Sequence, residues 1–326
     1  MNQINHTPVM LNEVLNFLNP KNKGLYIDCT FGGGGYTKSL LNSYDCKVLA
    51  IDRDSFAIQS GLKLRKTYSN RLKLVNDCFG NLEEILDNNK ILKVNGIALD
   101  LGVSSFQLDS AERGFSFKKN GPLDMRMGSI GKSASDIINT IDQESLYKII
   151  RIFGEEKYAN RISKAIILCR DKKPIHTTEE LSLIISKVVK GNNSKIHPAT
   201  RTFQALRIAV NRELEELKKI LVAAENKLLP GGVIVIVSFH SLEDRIVKKF
   251  FSDRSGKVSN NRHLPIKEKY FPTFELITKV LRPSDKEVRN NPRSRSAKLR
   301  AAMRTSAEPW PEGEFVWVED SILYLV

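Results

Sequence analysis

The sequence predicts an α/β fold in which one sheet of mainly parallel strands is interrupted by a helical insertion. Short apolar runs alternate with helical spacing over the first part of the chain, which is typical of βαβ units. Helical periodicity dominates from about 135 to 229, and strand character returns at Gly231–Phe239. We therefore predict a discontinuous sheet domain, residues 1–107 and 213–305, with a helical insertion, 108–212, as the candidate substrate-recognition domain.

Apolar runs rich in β-branched residues predict the strands of this sheet. Four of them fall in the first part of the chain: Leu25–Phe31, Lys47–Asp52, Leu72–Val75 and Gly96–Leu101. Two more, Phe274–Thr278 and Ala297–Met303, follow the strand at Gly231–Phe239. An apolar stripe at helical spacing predicts a helix where the insertion ends, and it consists of Leu206, Val210, Leu214, Leu217 and Leu221.

Charge is distributed unevenly along the chain. The 326 residues carry a formal net charge of +14 at pH 7, which favours a polyanionic partner such as nucleic acid. Between Arg245 and Thr305 there are 17 Lys and Arg residues against 5 Asp and Glu, so this part holds most of the excess. The tail, 306–326, is acidic, with both tryptophans and no Lys or Arg. We therefore expect a phosphate-binding surface in the segment before the tail.

The cysteines and the apolar runs indicate a protein of a reducing compartment. None of the four cysteines forms a Cys-x-x-Cys pair, so no zinc or redox site is predicted and no metal is expected. No apolar run reaches the roughly eighteen residues of a membrane span, and the first residues lack a signal-peptide pattern. The sequence therefore predicts a cytoplasmic protein with no membrane partner.

A glycine run marks the candidate ligand site. The segment Asp28–Tyr36, Asp-Cys-Thr-Phe-Gly-Gly-Gly-Gly-Tyr, follows the first strand and opens a helix. Glycines let the backbone approach a ligand closely, and the helix N-terminus favours a negative group. Asp52 closes the second strand, where a carboxylate can accept hydrogen bonds from ribose hydroxyls. A tight turn without a ligand explains the glycines alone, but Asp52 at this place favours a nucleotide-type site.

The glycine spacing narrows the choice of ligand. Neither the dinucleotide pattern G-x-G-x-x-G nor a phosphate-binding G-x-x-x-x-G-K-[ST] loop is present. An adenosine ligand without a pyrophosphate fits better, and S-adenosylmethionine is the common one. Phe79, just past the third strand, is placed to stack on adenine or pack edge-on against it, although for this residue alone core packing is the better explanation. Asp100 ends the fourth strand, at the sheet edge where ligands of such folds bind.

Seven motifs carry a resemblance that covers nearly the whole chain. They are His6–Met10, Asp100–Ser105, Glu112–Phe117, Gly121–Met127, His197–Gln204, Ser238–Arg245 and Asn291–Ser296. On these motifs the chain resembles the RsmH (MraW) family, bacterial enzymes that methylate N4 of a cytidine in the 16S RNA of the small ribosomal subunit. The resemblance implies a class I S-adenosylmethionine-dependent methyltransferase fold, Rossmann-like, with an inserted helical domain.

The resemblance also implies where the cofactor S-adenosyl-L-methionine binds. Carried over by position, the contacts come from Gly34, Gly35, Tyr36, Asp52, Phe79, Asp100 and Gln107. Many family members have histidine at the position of Tyr36, which a backbone contact would tolerate and a side-chain role would not. The implied partner is 16S rRNA in its decoding region, within the small subunit of the bacterial cytoplasm.

An exocyclic amine is a weak nucleophile because its lone pair is delocalised into the cytosine ring. A protein can position the amine and accept hydrogen bonds from its protons. Asp100, Ser104 and Ser105 are the candidate catalytic residues beside it. Methylation at C5 of a pyrimidine typically uses a cysteine nucleophile in a Pro-Cys context, which this chain lacks.

Other residues are candidates for holding the RNA. A target base must be exposed, and stacking candidates are Tyr36, Phe106, Phe115 and Phe117, each of which core packing also explains. Candidate phosphate contacts are Arg201, Arg207, Arg293, Arg295 and Lys298, each explained individually as a solvated charge. Asp124 and Arg126 lie in a loop that either closes over the site or holds a surface ion pair. His240 either reaches the cleft or flanks a capping box at Ser241–Asp244.

The residues leave two other classes of function open. One is a methyltransferase of another acceptor, such as DNA, protein or a small molecule. The other is a non-enzymatic RNA-binding or ribosome assembly factor, which the glycine run and Asp52 disfavour. The absence of the dinucleotide pattern disfavours an NAD-dependent oxidoreductase. The sequence also leaves open whether the chain forms a homodimer and what the tail does.

Overall fold

The computed structural model describes residues 8–189, 196–256 and 270–311. They divide into two compact units. The sheet unit comprises the described parts of Met1–Gly102 and Leu214–Val316, and the helical unit comprises the described part of Val103–Glu213. The helical unit covers the predicted insertion and begins a few residues before it. Most of the acidic tail lies outside the described residues.

Seven strands form the sheet unit's single sheet. They are β1 (Leu25–Asp28), β2 (Lys47–Asp52), β3 (Leu72–Asn76), β4 (Val94–Asp100), β5 (Leu228–Ser238), β6 (Phe274–Leu276) and β7 (Lys298–Arg304). Their order is β3-β2-β1-β4-β5-β7-β6, with β1 to β5 parallel and β7 antiparallel to both neighbours. The predicted α/β fold is confirmed and each predicted strand is present, although β1 ends at Asp28 rather than Phe31 and β6 at Leu276 rather than Thr278.

The helices alternate with the strands up to β4 and then follow one another without an intervening strand until β5. They are α1 (Leu11–Leu18), α2 (Gly35–Ser43), α3 (Ser55–Tyr68), α4 (Leu82–Asn88), α5 (Ser105–Asp109), α6 (Ala134–Thr140), α7 (Gln143–Phe153), α8 (Ala159–Arg170), α9 (Thr178–Val188), α10 (Thr200–Asn211), α11 (Glu213–Lys227), α12 (Ser241–Arg254) and α13 (Asp285–Asn290). Helices α6 to α10 build the core of the helical unit, where α7 packs on α8 and α10. None of the helices in the described ranges is long and apolar enough to cross a membrane.

The parallel strands bring three carboxylates to one edge of the sheet. Strands β1, β2 and β4 are apolar along their length because both faces of a parallel sheet are covered. Each ends in an aspartate: Asp28, Asp52 and Asp100 respectively. Because β1 lies between β2 and β4, the carboxyl ends of all three strands lie side by side. This edge is where an open α/β sheet binds its ligands.

The apolar stripe from Leu206 to Leu221 runs over two helices rather than the one predicted. Helix α10 ends at Asn211, and Arg212 has a left-handed backbone, with φ of 50°, before α11 begins. The amide of Asn211 accepts from the backbone N–H of Met127 (2.8 Å) and donates to the carbonyl of Met125 (2.8 Å), which fixes the break. A long-range contact of this kind is not visible in the periodicity of the stripe.

Candidate functional site

The glycine run forms a tight turn between β1 and α2. Gly32 and Gly34 have left-handed backbones, with φ of 49° and 75°, a conformation that residues other than glycine rarely adopt. The carboxylate of Asp28 is buried beneath the turn. It accepts hydrogen bonds from the backbone N–H (3.1 Å) and hydroxyl (2.6 Å) of Thr37 and from the backbone N–H of Thr30 (3.3 Å). Asp28 therefore holds the shape of the turn and the first residues of α2.

Asp52 ties the same turn to the end of β2. One carboxylate oxygen accepts from the backbone N–H of Gly32 (2.7 Å) and the other from that of Asp54 (2.8 Å). Burial raises the pKa of Asp52 to about 6, against the lowering effect of these two hydrogen bonds. Each oxygen keeps a second lone pair, so the group can still accept a hydrogen bond from a ligand hydroxyl.

Asp100 is the least compensated carboxyl of this edge. Its backbone N–H donates to the hydroxyl of Thr30 (2.7 Å), but its buried Oδ1 has no hydrogen-bond partner among the described residues. Burial raises the pKa of Asp100 well above its usual value, and the charges of Asp28, Glu243 and Glu287 raise it further. A buried acceptor with no partner is costly to keep, so its presence here favours a ligand that brings a donor or a positive charge.

Tyr36 and Gly35 belong to the packed part of the site. The phenol of Tyr36 is buried and donates to the carbonyl of Val9 (2.5 Å), so it is not available to stack on a base, as the sequence had allowed. Burial, with smaller contributions from nearby carboxylates, raises its pKa well above the usual value. A side chain at Gly35 would collide with the ring of Pro8, so glycine is required there for packing.

Phe79 lies where the sequence placed it, directly after β3. It starts a single 3-10 turn, Phe79–Asn81, and its side chain is half-buried. The backbone N–H of the adjacent Gly80 donates to Glu216 of α11 (3.2 Å), which fixes the turn. The contact of Phe79 with an adenine ring stays a prediction.

Ser104 and Gln107 pair with each other inside the helical unit. The hydroxyl of Ser104 accepts from the backbone N–H of Gln107 (3.3 Å), and the side chain of Gln107 accepts from the backbone N–H of Ser104 (2.9 Å). This capping box starts α5, of which Ser105 is the first residue. The two residues therefore have a structural role in the helical unit in addition to the predicted catalytic and cofactor roles.

The predicted capping box at Ser241–Asp244 begins one residue too late. His240 is the N-cap of α12, and its ring nitrogen Nδ1 accepts from the backbone N–H of Glu243 (3.4 Å). Glu243 closes the box by accepting from the backbone N–H groups of Phe239 (2.8 Å) and His240 (3.2 Å). The sequence pattern missed this box because it considered only hydroxyl N-caps and not an imidazole acceptor.

Two of the aromatic stacking candidates are packed within the helical unit. The ring of Phe115 is buried under the guanidinium of Arg113 (5.8 Å). The ring of Phe117 lies 4.5 Å from that of His197 and 4.9 Å from that of Phe203. Phe106, in the short helix α5, is half-buried. Core packing therefore accounts for Phe115, whereas Phe117 is half-buried and packs against the exposed ring of His197.

Asp124 and Arg126 form the ion pair that the sequence offered as one explanation of their loop. Two parallel hydrogen bonds join them, at 2.9 and 2.7 Å. Burial opposes ionisation of Asp124, but the hydrogen bonds and charge of Arg126 outweigh it, and the pKa of Asp124 is lowered. Arg126 also donates to the carbonyl of Gly131 (3.3 Å), so the pair holds this loop together.

Arg201, Arg207 and Lys298 each have a hydrogen-bond partner within the protein. Arg207 makes two hydrogen bonds of 2.8 Å to Glu213, and Lys298 pairs with Asp244 (2.9 Å). Arg201 is exposed and donates to a backbone carbonyl of the helical unit (2.9 Å). Pairing reduces the charge that Arg207 and Lys298 can offer to a phosphate.

Arg293 and Arg295 lie on one short turn of the sheet unit. They belong to the 3-10 helix Pro292–Ser296, and both side chains are exposed. The buried Ser294 between them donates its hydroxyl to the carbonyl of Asn291 (2.7 Å), which fixes the turn and makes both arginines point away from the core. Arg293 and Arg295 are therefore exposed, as Arg201 is.

Comparison with known proteins identifies the relatives of this chain. The model of the MraW methylase family matches residues 3–305. The ribosomal RNA small subunit methyltransferase H of Xanthobacter autotrophicus is 53% identical over 312 residues, which cover 95% of this chain and 90% of that protein. The protein of the same name from Azorhizobium caulinodans is 50% identical, with 95% of this chain and 90% of that protein covered.

The solved structures add little to these two matches. An rRNA methylase from Streptococcus thermophilus covers 91% of this chain and 94% of its own, at 10% identity and a TM-score of 0.40. The fold assignment therefore depends on the strand order and the family match rather than on this likeness.

Proposed function

This chain belongs to the MraW methylase family, and on that basis we propose that it methylates N4 of a specific cytidine in the decoding region of 16S rRNA. The methyl donor is S-adenosyl-L-methionine. The observation that carries the proposal is the match over residues 3–305, supported by relatives at about 50% identity that are named rRNA small subunit methyltransferases. The sheet order, with β7 antiparallel between β5 and β6, is that of class I methyltransferases.

The residues at the carboxyl edge fit the cofactor. S-Adenosyl-L-methionine, when bound, supplies an electrophilic methyl group on a positively charged sulfur. In the proposal, the glycine turn at Gly34 and Gly35 lets the backbone lie against the cofactor, and Asp52 accepts from its ribose hydroxyls. Phe79 contacts the adenine, and Gln107 completes the set by resemblance. The buried Oδ1 of Asp100 is the acceptor that the protein itself leaves without a donor.

The chemical requirement is to position a weak nucleophile. With the cofactor bound, the amine nitrogen would form a bond to the methyl carbon as the methyl–sulfur bond broke, and the positively charged N4 would then lose one proton to solvent. Because this cationic nitrogen is acidic, no strong base of the protein is needed. In the proposal, Asp100 accepts a hydrogen bond from the amine or lies beside the sulfonium, and Ser104 and Ser105 border the target base. A hydrogen bond accepted from the amine returns electron density to nitrogen.

RNA binding is proposed for the exposed basic residues. Arg293 and Arg295, on one fixed turn, and Arg201 of the helical unit contact phosphates in the proposal. Arg207 and Lys298, which hold carboxylates of their own, make a smaller contribution. In the proposal the protein acts in the cytoplasm, where small ribosomal subunits are found. The helical unit is proposed as the substrate-recognition domain, and a homodimer stays a prediction.

The experiment is methyl transfer from radiolabelled S-adenosyl-L-methionine to small ribosomal subunits from cells that lack the enzyme. The RNA is digested and the labelled nucleoside identified. We expect label in N4-methylcytidine, and a loss of about a hundredfold or more in rate for Asp100→Asn, which keeps the shape of the side chain but not its charge. Label in another nucleoside would overturn the proposed acceptor atom.

A charge comparison tests the proposed RNA contacts. The double variant Arg293→Ala/Arg295→Ala should raise the KM for subunits and reduce the slope of log affinity against log salt by about two, with the KM for the cofactor unchanged. Lys63→Ala/Lys66→Ala, two exposed lysines of α3, is the control matched in charge. Equal effects of the two double variants would mean that only the total charge matters and that the turn is not a specific contact.

The same measurements separate the two alternative functions. A methyltransferase of another acceptor would bind the cofactor and label DNA, protein or a small molecule instead of the subunit RNA. A non-enzymatic assembly factor would bind subunits with the same salt dependence but would bind no S-adenosyl-L-methionine. The shared observable is cofactor binding, so it is measured first by calorimetry.

A further inference from the structure

The segment just before α1 is held from two sides. On one side, the phenol of Tyr36 in α2 donates to the carbonyl of Val9 (2.5 Å), with both residues buried. On the other side, the backbone N–H of Met10 donates to Oε1 of Glu287 in α13 (2.7 Å). Met10 itself is fully buried and has a left-handed backbone, with φ of 51°. The segment therefore depends on outside partners for its conformation.

The contact with the glycine turn is close. The ring of Pro8 lies so near Gly35 that any side chain there would collide with it. The residues that the segment touches are thus the first two residues of α2, directly after the turn that carries Gly32 and Gly34. A shift of Pro8 would move the start of α2, and the backbone N–H groups at that helix start are the ones proposed to face the cofactor.

Glu287 also links this segment to a distant part of the chain. It lies in α13, six residues before Arg293 of the turn Pro292–Ser296 and 277 residues after Met10. Its charge contributes to the field at both Asp100 and Tyr36, so it lies close to the carboxyl edge. No motif in the sequence assigned a role to Glu287.

From these contacts we infer that Glu287 and the phenol of Tyr36 are positioning residues, which fix Pro8–Met10 against the glycine turn and so set the turn's geometry for the cofactor. The inference rests on the proposed function only in taking S-adenosyl-L-methionine as the ligand of this turn. Glu287 acts as a hydrogen-bond acceptor for Met10, and Tyr36 acts as a donor to Val9 rather than as a ligand contact.

The test compares Glu287→Leu with Glu287→Gln. Glutamine keeps an acceptor oxygen for the N–H of Met10 but loses the negative charge, whereas leucine loses both. Glu287→Leu should weaken S-adenosyl-L-methionine binding roughly tenfold and speed hydrogen exchange of the amides of residues 10–18. Glu287→Gln should bind the cofactor within about twofold of the wild type. Tyr36→Phe, which removes only the donor to Val9, should resemble Glu287→Leu.

Two controls keep the result interpretable. Glu275→Leu removes an exposed glutamate from β6 and should change neither cofactor binding nor exchange. A thermal melt of each variant shows whether the sheet unit is folded. Methylation of subunits by the wild type is measured separately, so failure of the proposed acceptor leaves the cofactor measurement intact.

Two outcomes would overturn the inference. If the folded Glu287→Leu variant binds the cofactor like the wild type, the position of Pro8–Met10 does not determine the geometry of the glycine turn. If Glu287→Gln is as impaired as Glu287→Leu, the charge beside Asp100 matters and the hydrogen bond to Met10 does not.

Discussion

A buried carboxylate near the amino end of β5 has an arginine partner, whereas the buried aspartates at the carboxyl ends of β1, β2 and β4 have none among the described residues. At the amino end of β5, Glu225 of α11 is buried and pairs with the buried Arg254 of α12 (2.9 Å). The hydroxyl of Thr273 donates to the same carboxylate (2.6 Å), and the guanidinium of Arg304 donates to the backbone carbonyl of Glu225 (2.8 Å). Trp310 covers this network, with its ring 4.1 Å from the guanidinium carbon of Arg254.

At the carboxyl ends of β1, β2 and β4, the strand-end aspartates Asp28, Asp52 and Asp100 have no cationic partner among the described residues. Asp28 and Asp52 accept backbone and hydroxyl hydrogen bonds only, and Oδ1 of Asp100 accepts none. The pKa values of all three are raised by burial. Breaking a buried ion pair is strongly destabilising, whereas a buried carboxyl without a cation in a cleft is a candidate ligand contact. The difference thus separates the structural end of the sheet from the functional one.

The largest expected effect is at the structural end. Arg254→Leu leaves the charge of Glu225 buried without its cation and should lower the free energy of unfolding by about 3–5 kcal/mol. Denaturant unfolding measures it, and Lys148→Ala, which breaks the exposed pair with Glu144, is the control and should have no detectable effect. A small loss in Arg254→Leu would mean that Glu225 becomes protonated easily, and the contrast between the two ends would be weaker than described.

The second effect concerns pH at the functional end. Because the folded pKa of Asp52, about 6, exceeds its unfolded value of 3.8, the folded state holds the proton more tightly. The stability from this group is therefore fully present below pH 3.8 and is lost as pH rises through about 6. Asp52→Asn cannot titrate, so its stability relative to the wild type should increase by about 2–3 kcal/mol between pH 4 and pH 7.

The measurement for Asp52 is denaturant unfolding of both proteins across that pH range without ligand. Comparing the two proteins cancels the opposite pH dependence of groups such as Asp244, whose pKa is lowered by Lys298 and Arg300 despite its burial. If the difference in unfolding free energy between the two proteins stays constant with pH, Asp52 has an ordinary pKa. Its buried carboxylate would then be better stabilised than its two hydrogen bonds indicate.

The smallest expected effect comes from Trp310, whose ring packs over the Glu225–Arg254 pair. Trp310→Ala removes the stacking on Arg254 and the hydrogen bond from the indole to the carbonyl of Phe271 (3.0 Å). It should lower the free energy of unfolding by about 1–2 kcal/mol and leave cofactor binding unchanged. Weaker cofactor binding in this variant would show that the two ends of the sheet are energetically coupled.

The sequence predicted what depends on local pattern. The run Lys47–Asp52 became β2 without change, and the aspartates at strand ends met at one edge because parallel strands must align there. The glycine turn was also predicted from adjacent residues. These features need no knowledge of distant contacts.

The rest depends on contacts between residues far apart in the chain. The hydrogen bond between Met10 and Glu287 spans most of the sequence, and the burial of Tyr36 depends on Val9 from another element. The left-handed Arg212, which divides the apolar stripe, follows from the fit of Asn211 and not from its own preference. Such pairings leave no period or motif in one sequence.

The order of the last three strands has a consequence for synthesis. Strand β7 is the last to be made, yet it lies between β5 and β6. Until it emerges from the ribosome, the apolar β5 has an open edge, which is a template for pairing with other chains. The sheet can therefore close only after Arg304 has been translated, and a nascent chain that pauses before Lys298 is the form most exposed to aggregation.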